Sequence, residues 1–271
     1  MIDLFDGIAE PITPRPAGRV QLWSCGGGRQ SAGIAALIVQ GKLPKPDHVC
    51  MAALEWEKRS TFSYVNGFIR PAMLALGIPF TYVPRKKYAT KDLWGGADGE
   101  SLLIPAYTDE SGEVSKLDEF CSGEWKREVV ARWAAEQCGW KEQGVDMWIG
   151  ISWDERGRRR NARRKWLQPA YPLLDMLPRM MPVDGCLAAV AEVGWPEPPR
   201  SRCTHCPNQS DSEWAELTPA EFTAVCDMED KWREVDPHAF AHKSCIPLRL
   251  VTLNPTEAGK RSGGCSSGMC F

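Results

Sequence analysis

The sequence lacks the segments that would place it in a membrane or export it. No apolar run in its 271 residues approaches the roughly 20 that a membrane-spanning helix needs. The first residues read M-I-D-L-F-D-G-I-A-E-P, with acidic and no basic side chains, and a secretory signal begins with basic ones. We therefore expect a cytoplasmic protein that has no membrane partner.

The sequence also lacks a strong charge of either sign and any internal repeat or low-complexity tract. Thirty-three Lys and Arg residues are balanced by 35 Asp and Glu residues, which leaves a net charge of −2. The protein as a whole therefore exerts no strong electrostatic attraction on nucleic acid. Its length is close to the upper size of a single domain and allows a sizeable core.

Cysteine, in contrast, is plentiful. The chain has 11 cysteines, and disulfide frameworks are rare in the cytoplasm. Metal binding or redox chemistry is therefore the better interpretation of these residues.

The order of apolar segments predicts the fold class. The predicted strands are 20–23, 48–54, 80–83 and 146–151, and the predicted helices are 31–40, 61–77 and 125–137. Strands that alternate with helices through short links favour a doubly wound, mostly parallel α/β sheet. We expect an irregular lead-in at 1–18, a nucleotide-binding α/β domain at 19–195 and a cysteine-rich C-terminal lobe at 196–271.

A glycine-rich loop follows the first predicted strand. Residues 24–31 read S-C-G-G-G-R-Q-S and lead directly into the first predicted helix. Consecutive glycines let backbone N–H groups turn toward a phosphate, and the start of a helix adds a positive dipole end. Neither G-x-x-x-x-G-K-[ST] nor G-x-G-x-x-G is present. The alternative interpretation is a tight connection without a ligand.

A second motif follows the strand 146–151. Residues 150–160 read G-I-S-W-D-E-R-G-R-R-R, and basic residues continue to Lys165. In open parallel sheets ligands bind at the carboxyl ends of strands, so we expect this turn on the same edge as the glycine loop. Arginine suits phosphate or sulfate because its planar fork donates two parallel hydrogen bonds. This basic segment predicts contacts with nucleotide phosphates or with a nucleic-acid backbone, and a solvated charged surface is the alternative.

The cysteines form a third and a fourth motif. C-T-H-C at Cys203–Cys206 is a pair that can bind one metal, but the remaining ligands must come from elsewhere. Cys121 precedes a predicted helix, where the dipole favours a thiolate. Cys265 and Cys270 stand in the final segment G-C-S-S-G-M-C-F. Thiolates suit iron–sulfur clusters and zinc alike, so both remain open.

These motifs, in this order, resemble a phage-type branch of the phosphoadenosine phosphosulfate reductase-like family, in the ATP-pyrophosphatase (PP-loop) superfamily. The glycine loop is similar to S-G-G-G-x-D-S, with Gln30 where the family has Asp. Gly150, Asp154, Glu155 and Arg159 match G-I-R-x-D/E-E-S-x-x-R. The branch's three cysteine elements are matched at 121–126, 203–208 and 265–270, with Asn208 in place of Phe. The reductase signature E-C-G-L-H is absent.

The resemblance implies an adenine nucleotide alpha hydrolase-like fold, a metal centre and a nucleotide site. The metal centre would be a 4Fe-4S cluster, with zinc as the alternative, held by Cys121, Cys203, Cys206 and either Cys265 or Cys270. The nucleotide would be ATP or phosphoadenosine phosphosulfate, with Mg²⁺ as a further candidate. The residues expected to bind it are Ser24, Gly26, Gly27, Gly28, Gln30, Ser31, Glu55, Lys126, Gly150 and Arg159.

The resemblance favours the first of three functions, and the other two are alternatives. The first is a sulfonucleotide reductase in which Cys270 is the nucleophile, Arg159, Asp154 and Glu155 are catalytic, and a thiol protein such as thioredoxin is the reductant. The second is an ATP-dependent sulfurtransferase that acts on nucleic acid, as in tRNA thiolation or DNA phosphorothioation, through Arg156–Lys165. The third is a non-catalytic, metal-stabilised binding protein. The oligomeric state is not predicted.

Overall fold

The computed structural model describes residues 18–92 and 102–256, which form two compact units. The first unit contains 18–89 and 125–201, and the second contains 90–92, 102–124 and 202–256. Segment 102–124, which the sequence analysis assigned to the α/β domain, therefore groups with the cysteine-rich part of the chain. Residues 1–17 of the predicted lead-in and the terminal motif with Cys265 and Cys270 lie outside the described residues.

The described residues form eight strands and ten α-helices. The strands are β1 (Val20–Ser24), β2 (His48–Ala53), β3 (Phe80–Pro84), β4 (Tyr107–Thr108), β5 (Ser115–Lys116), β6 (Val145–Ile149), β7 (Leu167–Ala170) and β8 (Ala239–Phe240). The helices are α1 (Arg29–Val39), α2 (Arg59–Tyr64), α3 (Arg70–Ala75), α4 (Arg85–Tyr88), α5 (Glu128–Glu136), α6 (Trp140–Gln143), α7 (Pro172–Asp175), α8 (Val183–Glu192), α9 (Asp211–Ala215) and α10 (Pro219–Val235).

The first unit is built on a five-stranded parallel sheet in the order β3-β2-β1-β6-β7. This confirms the predicted α/β class. Side chains of a strand alternate between its faces, and both faces of this sheet are covered. On one face Trp23 and Trp148 pack with the apolar side of α1, which itself packs on α8. On the other face α5 packs on β2 and β3, where the rings of Trp133 and His48 lie 5.3 Å apart.

Two predicted helices contain a π-helical turn. The helix predicted at 61–77 runs as α2, a π-helical turn at Val65–Ile69, and α3. Pro71 lies in the first turn of α3 and has no N–H to donate to the preceding turn, which accounts for the local change in hydrogen bonding. The helix predicted at 125–137 begins as a π-helical turn at Gly123–Arg127 and continues as α5.

The strand order creates a switch point between β1 and β6. From β1 the chain proceeds to β2 and β3 on one side, and β6 and β7 lie on the other side. Loops that leave two such neighbouring strands diverge and open a crevice at their carboxyl ends. The glycine loop leaves β1, and segment 150–160 leaves β6, so both predicted motifs lie at this crevice.

The second unit combines a small antiparallel sheet, β5-β4-β8, with helices α9 and α10. Both helices begin with a capping box, formed by Ser210 with Glu213 and by Thr218 with Glu221. The buried carboxylate of Glu229 accepts hydrogen bonds from the backbone N–H groups of Ala241 and Leu248 and so fixes the chain after α10.

None of the helices in the described parts of the chain has both the length and the apolar character needed to cross a bilayer.

Candidate nucleotide site and cysteine motif

The glycine loop is held in place by its own serine. Ser24 ends β1, and the backbone N–H of Cys25 still bonds to the Cys50 carbonyl of β2 at 2.8 Å. The chain then turns, and the N–H of Gly26 donates to the Ser31 hydroxyl oxygen at 2.9 Å. Ser31 is buried in the first turn of α1, so it ties the loop to the helix that follows.

Gly27 requires glycine, and Gly28 leaves little room for a side chain. Gly27 has φ +74°, a left-handed conformation, and a Cβ there would lie 2.6 Å from Cγ2 of Thr61. A Cβ on Gly28 would lie 3.2 Å from the Ser201 Cβ and 3.3 Å from the Ser201 backbone nitrogen. The consecutive glycines thus let the chain pass close to its neighbours without a clash.

The start of α1 is suited to an anion. Gly28 is its N-cap and supplies no side-chain cap, and the first turn contains no acidic residue. The first N–H groups of a helix have no partner within the helix and carry the positive end of its dipole. A phosphate group bound here would satisfy these donors.

A small pocket lies beside the loop at the carboxyl ends of β1 and β2. Its lining residues are Ser24, Cys25, Gly26, Met51, Ala52 and Lys126. Burial raises the pKa of the Cys25 thiol to about 11, so this thiol stays protonated at neutral pH. The pocket therefore combines backbone, apolar side chains and one lysine.

Lys126 is held by a buried carboxylate. Its Nζ lies 3.1 Å from Oε2 of Glu57, whose side chain is fully buried, and the Ser201 hydroxyl donates to Oε1 of Glu57 at 2.8 Å. A buried charge needs such partners. Glu57 thus connects the lysine of the pocket to the segment that passes Gly28.

Segment 196–201 is held against the loop and the first turn of α1. The Pro196 carbonyl accepts a hydrogen bond from the Tyr64 hydroxyl at 3.0 Å, and Glu197 pairs with Arg29 at 2.8 Å. Together with the Ser201–Glu57 bond, these contacts fix the segment at three points.

The turn after β6 meets the same helix from the other side of the switch point. A Cβ on Gly150 would lie 3.3 Å from the Cβ of Gln30. The Gln30 amide donates to Glu155 Oε2 at 3.2 Å, and Arg158 pairs with the same oxygen at 2.6 Å. The two predicted motifs are therefore in direct contact through Gln30, which stands at the position where the family named in the sequence analysis has Asp.

Two residues expected to be catalytic have structural partners. Asp154 Oδ2 accepts from the backbone N–H of Val183 at 2.7 Å and so binds the start of α8. Arg159 is exposed, pairs with Asp175 at 2.9 Å, and its guanidinium lies 4.9 Å from the centre of the Tyr171 ring. In this structure Asp154 holds the start of α8, and Arg159 holds the end of α7.

Glu55 lies in a separate cluster beyond the end of β2. Its carboxylate pairs with Arg85 at 2.8 Å. Burial alone would raise the Glu55 pKa, but the hydrogen bond and charge of Arg85 lower it overall. The Arg85 guanidinium also lies 4.4 Å from the Trp56 ring centre and 5.6 Å from that of Trp125. This arrangement fixes Glu55 as an ionised, paired side chain.

The cysteine pair of the second unit forms a turn. The Cys206 N–H donates to the Cys203 carbonyl at 3.2 Å. Burial raises the pKa of the Cys206 thiol, while the charges of Arg202 and Lys116 and the backbone N–H of Asn208 oppose this effect. Cys121 and Cys206 both act electrostatically on Lys116. Burial prevails, so the Cys206 pKa is raised overall, and binding of a metal there would have to release the thiol proton.

The described residues do not by themselves complete a metal centre. Nowhere in 18–92 and 102–256 do three His, Cys, Asp or Glu side chains lie close enough to hold an ion. The chemistry of the donors fits a thiolate-bound metal, but the geometry of the described cysteines provides at most part of its ligands. The assignment of Cys121, Cys203 and Cys206 therefore remains a prediction.

Sequence reasoning missed Ser201 and Thr61. Ser201 is 144 residues from Glu57 in the sequence, and no local pattern links them. Thr61 was placed only within a helix, yet its fully buried hydroxyl has no hydrogen-bond partner among the described residues, and its methyl group contacts the Gly27 position.

Comparisons with known proteins are sparse. No protein-family model matches the sequence, and no curated protein matches it. Among solved structures, the chain is similar to the U34-tRNA thiolase NcsA from Methanococcus maripaludis with its 4Fe-4S cluster. The identity is 16%, the match covers 81% of this chain and 67% of that chain, and the TM-score is 0.39. Such a likeness is too low to carry an argument about function.

Proposed function

We propose that this chain is an enzyme of the ATP-pyrophosphatase type that binds ATP with its pyrophosphate on the glycine loop. The uncapped start of α1, entered through a glycine turn at the switch point, carries this proposal. Lys126, paired with Glu57, lies at the wall of the small pocket beside Gly26, next to this helix start. The N–H groups of the first turn of α1 would stabilise the charge of the leaving pyrophosphate.

We assign the chemistry to sulfur transfer through an adenylated acceptor. An acceptor oxygen attacks the α-phosphorus, the bond to the β-phosphate oxygen breaks, and pyrophosphate leaves. Sulfide then displaces AMP from the acceptor. The Cys203–Cys206 pair in the second unit, which forms a turn, supports a role in sulfur handling. A metal held there would supply a site for sulfide, with Cys203 and Cys206 as two of its ligands.

Arg159, the arginine expected to be catalytic in a reductase, is paired with Asp175, and this supports ATP over a sulfonucleotide as substrate. A sulfonucleotide carries a sulfate and, in the phosphoadenosine form, an additional phosphate, and both need cationic partners. Arg158, Arg159 and Arg164 instead pair with carboxylates, namely Glu155, Asp175 and Glu128.

Product analysis tests this proposal. The protein is incubated with ATP, Mg²⁺, sulfide and unfractionated tRNA, and the phosphorus products are separated. The proposal expects AMP and pyrophosphate in equal amounts, while ADP with phosphate would contradict it. A parallel incubation supplies phosphoadenosine phosphosulfate with thioredoxin, and release of sulfite there would establish the reductase instead.

A further inference from the structure

One surface of the first unit combines an exposed indole with unpaired cations. Trp153 begins the 3₁₀ segment Trp153–Arg158 after β6, and 40% of it is exposed. Its backbone N–H donates to the Met181 carbonyl at 2.8 Å, which fixes its position on the sheet edge. The Arg156 guanidinium lies 3.8 Å from the centre of its ring. The indole is therefore held at the surface and paired with a cation.

The charge of this region is strongly positive although that of the protein is not. Residues 153–165 contain seven Lys and Arg residues against two acidic residues, a net of +5, whereas the whole chain carries −2. Three of the seven cations pair with carboxylates. The others are exposed and have no acidic partner within ion-pair distance in the described residues: Arg156, Arg160, Arg163 and Lys165. Their positive charge is available to an anionic partner.

We infer that Trp153, Arg156, Arg160, Arg163 and Lys165 form a binding surface for single-stranded nucleic acid, here named the Trp153 surface. Proteins that bind single strands combine cations along the backbone with aromatic rings on which bases stack. Arg156 and Trp153 provide the ring and its cation, and the other three residues provide backbone contacts. An anionic membrane fits less well, because only Trp153 and the half-exposed Met180 would enter a bilayer.

The position of this surface is related to the glycine loop. Glu155 lies within segment 153–165 and accepts a hydrogen bond from Gln30 in the first turn of α1. A strand on the Trp153 surface would thus lie beside the proposed nucleotide site. The inference rests on the proposed function in naming this strand as the acceptor, but the binding itself can be measured without ATP.

Fluorescence anisotropy with labelled 12-nucleotide RNA and DNA strands tests the Trp153 surface. The variant R156A/R160A/R163A should bind at least about 10-fold more weakly, and the slope of log Kd against log salt should fall by about 2. Trp153→Ala should weaken binding by about 10-fold with an unchanged salt slope, and Trp153→Phe should restore most of it. Binding of both strands, or of only one, identifies the nucleic acid that the surface accepts.

The matched control is R70A/K141A/K231A, which removes the same charge from exposed positions elsewhere. It should change Kd by less than about 2-fold. An equal loss in the control would mean non-specific attraction and would overturn the inference. The inference would also be overturned if the wild-type protein bound neither the RNA nor the DNA strand, whether or not it bound phosphatidylserine vesicles.

Calorimetry with ATP on the same variants separates this inference from the proposed function. Unchanged ATP affinity in variants that have lost the oligonucleotide supports the surface as a separate site. If the wild-type protein binds the oligonucleotide but not ATP, the inference of the Trp153 surface stands and the proposed enzyme function is contradicted.

Discussion

Gly27 and Thr61 lie so close that no side chain fits between them. A Cβ on Gly27 would lie 2.6 Å from the methyl carbon of Thr61, and Gly27 has φ +74°. The glycine loop is therefore closed against α2 by direct contact. Any substitution at Gly27 must disturb the turn that presents the start of α1.

Gly27→Ala should lower both stability and ATP affinity. We expect a loss of about 2–4 kcal/mol in the free energy of unfolding, because left-handed strain and the clash with Thr61 add. Urea denaturation measures the change. Gly41→Ala is the matched control, since Gly41 has φ +71° but nothing within 4 Å of its Cβ position. It should lose only about 1 kcal/mol, and an equal loss in both variants would remove the clash from the explanation.

Lys126→Met should be more harmful than the double variant Lys126→Met/Glu57→Gln. Removal of the lysine leaves the buried Glu57 carboxylate without its cationic partner, which typically costs about 3–5 kcal/mol. A neutral glutamine at 57 removes that buried charge. The test measures urea unfolding of the wild type, of each single variant and of the double variant. Ser201→Ala, which removes the other hydrogen bond to Glu57, is measured alongside them. Equal stability of the single and double variants would show that Glu57 does not depend on Lys126.

The ion pair of Glu128 with Arg164 should stabilise the fold only above acidic pH. Both guanidinium nitrogens reach the carboxylate, at 3.2 and 2.5 Å. Burial would raise the Glu128 pKa, but Arg164 and Arg127 lower it below 4.5 overall. Because the folded pKa is the lower one, the stabilisation is complete above the unfolded pKa and is lost as pH falls through the folded value.

Comparison with Glu128→Gln measures this effect. At pH 7 the wild type should be more stable by about 1 kcal/mol, a modest value because Arg164 is partly exposed. The difference should hold down to about pH 5 and shrink toward pH 3. A difference that is constant from pH 7 to pH 3 would contradict the assignment.

Cys203→Ser should abolish metal binding by the cysteine motif. We expect wild-type protein purified without oxygen to contain about four iron and four sulfide ions, or one zinc if the site is structural. Cys138→Ser, at an exposed cysteine outside the motif, should keep the metal. Metal that is retained in Cys203→Ser would remove Cys203 from the ligand set.

The strands and helices that depend only on residues close together in the sequence could be predicted. The predicted strand 20–23 and helix 31–40 correspond to β1 and α1, because apolar runs, glycines and the loop between them are local signals. The same holds for β2, β3 and β6. The π-helical turn at Val65–Ile69 was not predicted, because the spacing of apolar residues does not reveal the change in backbone hydrogen bonding before Pro71.

Contacts between distant segments could not be predicted. Segment 102–124 groups with 202–256, and no periodicity in either segment indicates this. Ser201 meets Glu57 across 144 residues, and Asp154 binds the start of α8. The sequence identified the residue types of the candidate site, whereas the partners that hold Lys126, Glu55 and Arg159 required the structure.

Titration calorimetry with ATP tests the central claim most directly. Wild-type protein and Gly41→Ala should bind ATP with the same affinity. Gly27→Ala, measured at a temperature where it is folded, should bind at least about 10-fold more weakly, because the turn that presents the start of α1 is disturbed. Absence of ATP binding to the wild type, or equal affinity in Gly27→Ala, would contradict the account of a phosphate site at the start of α1.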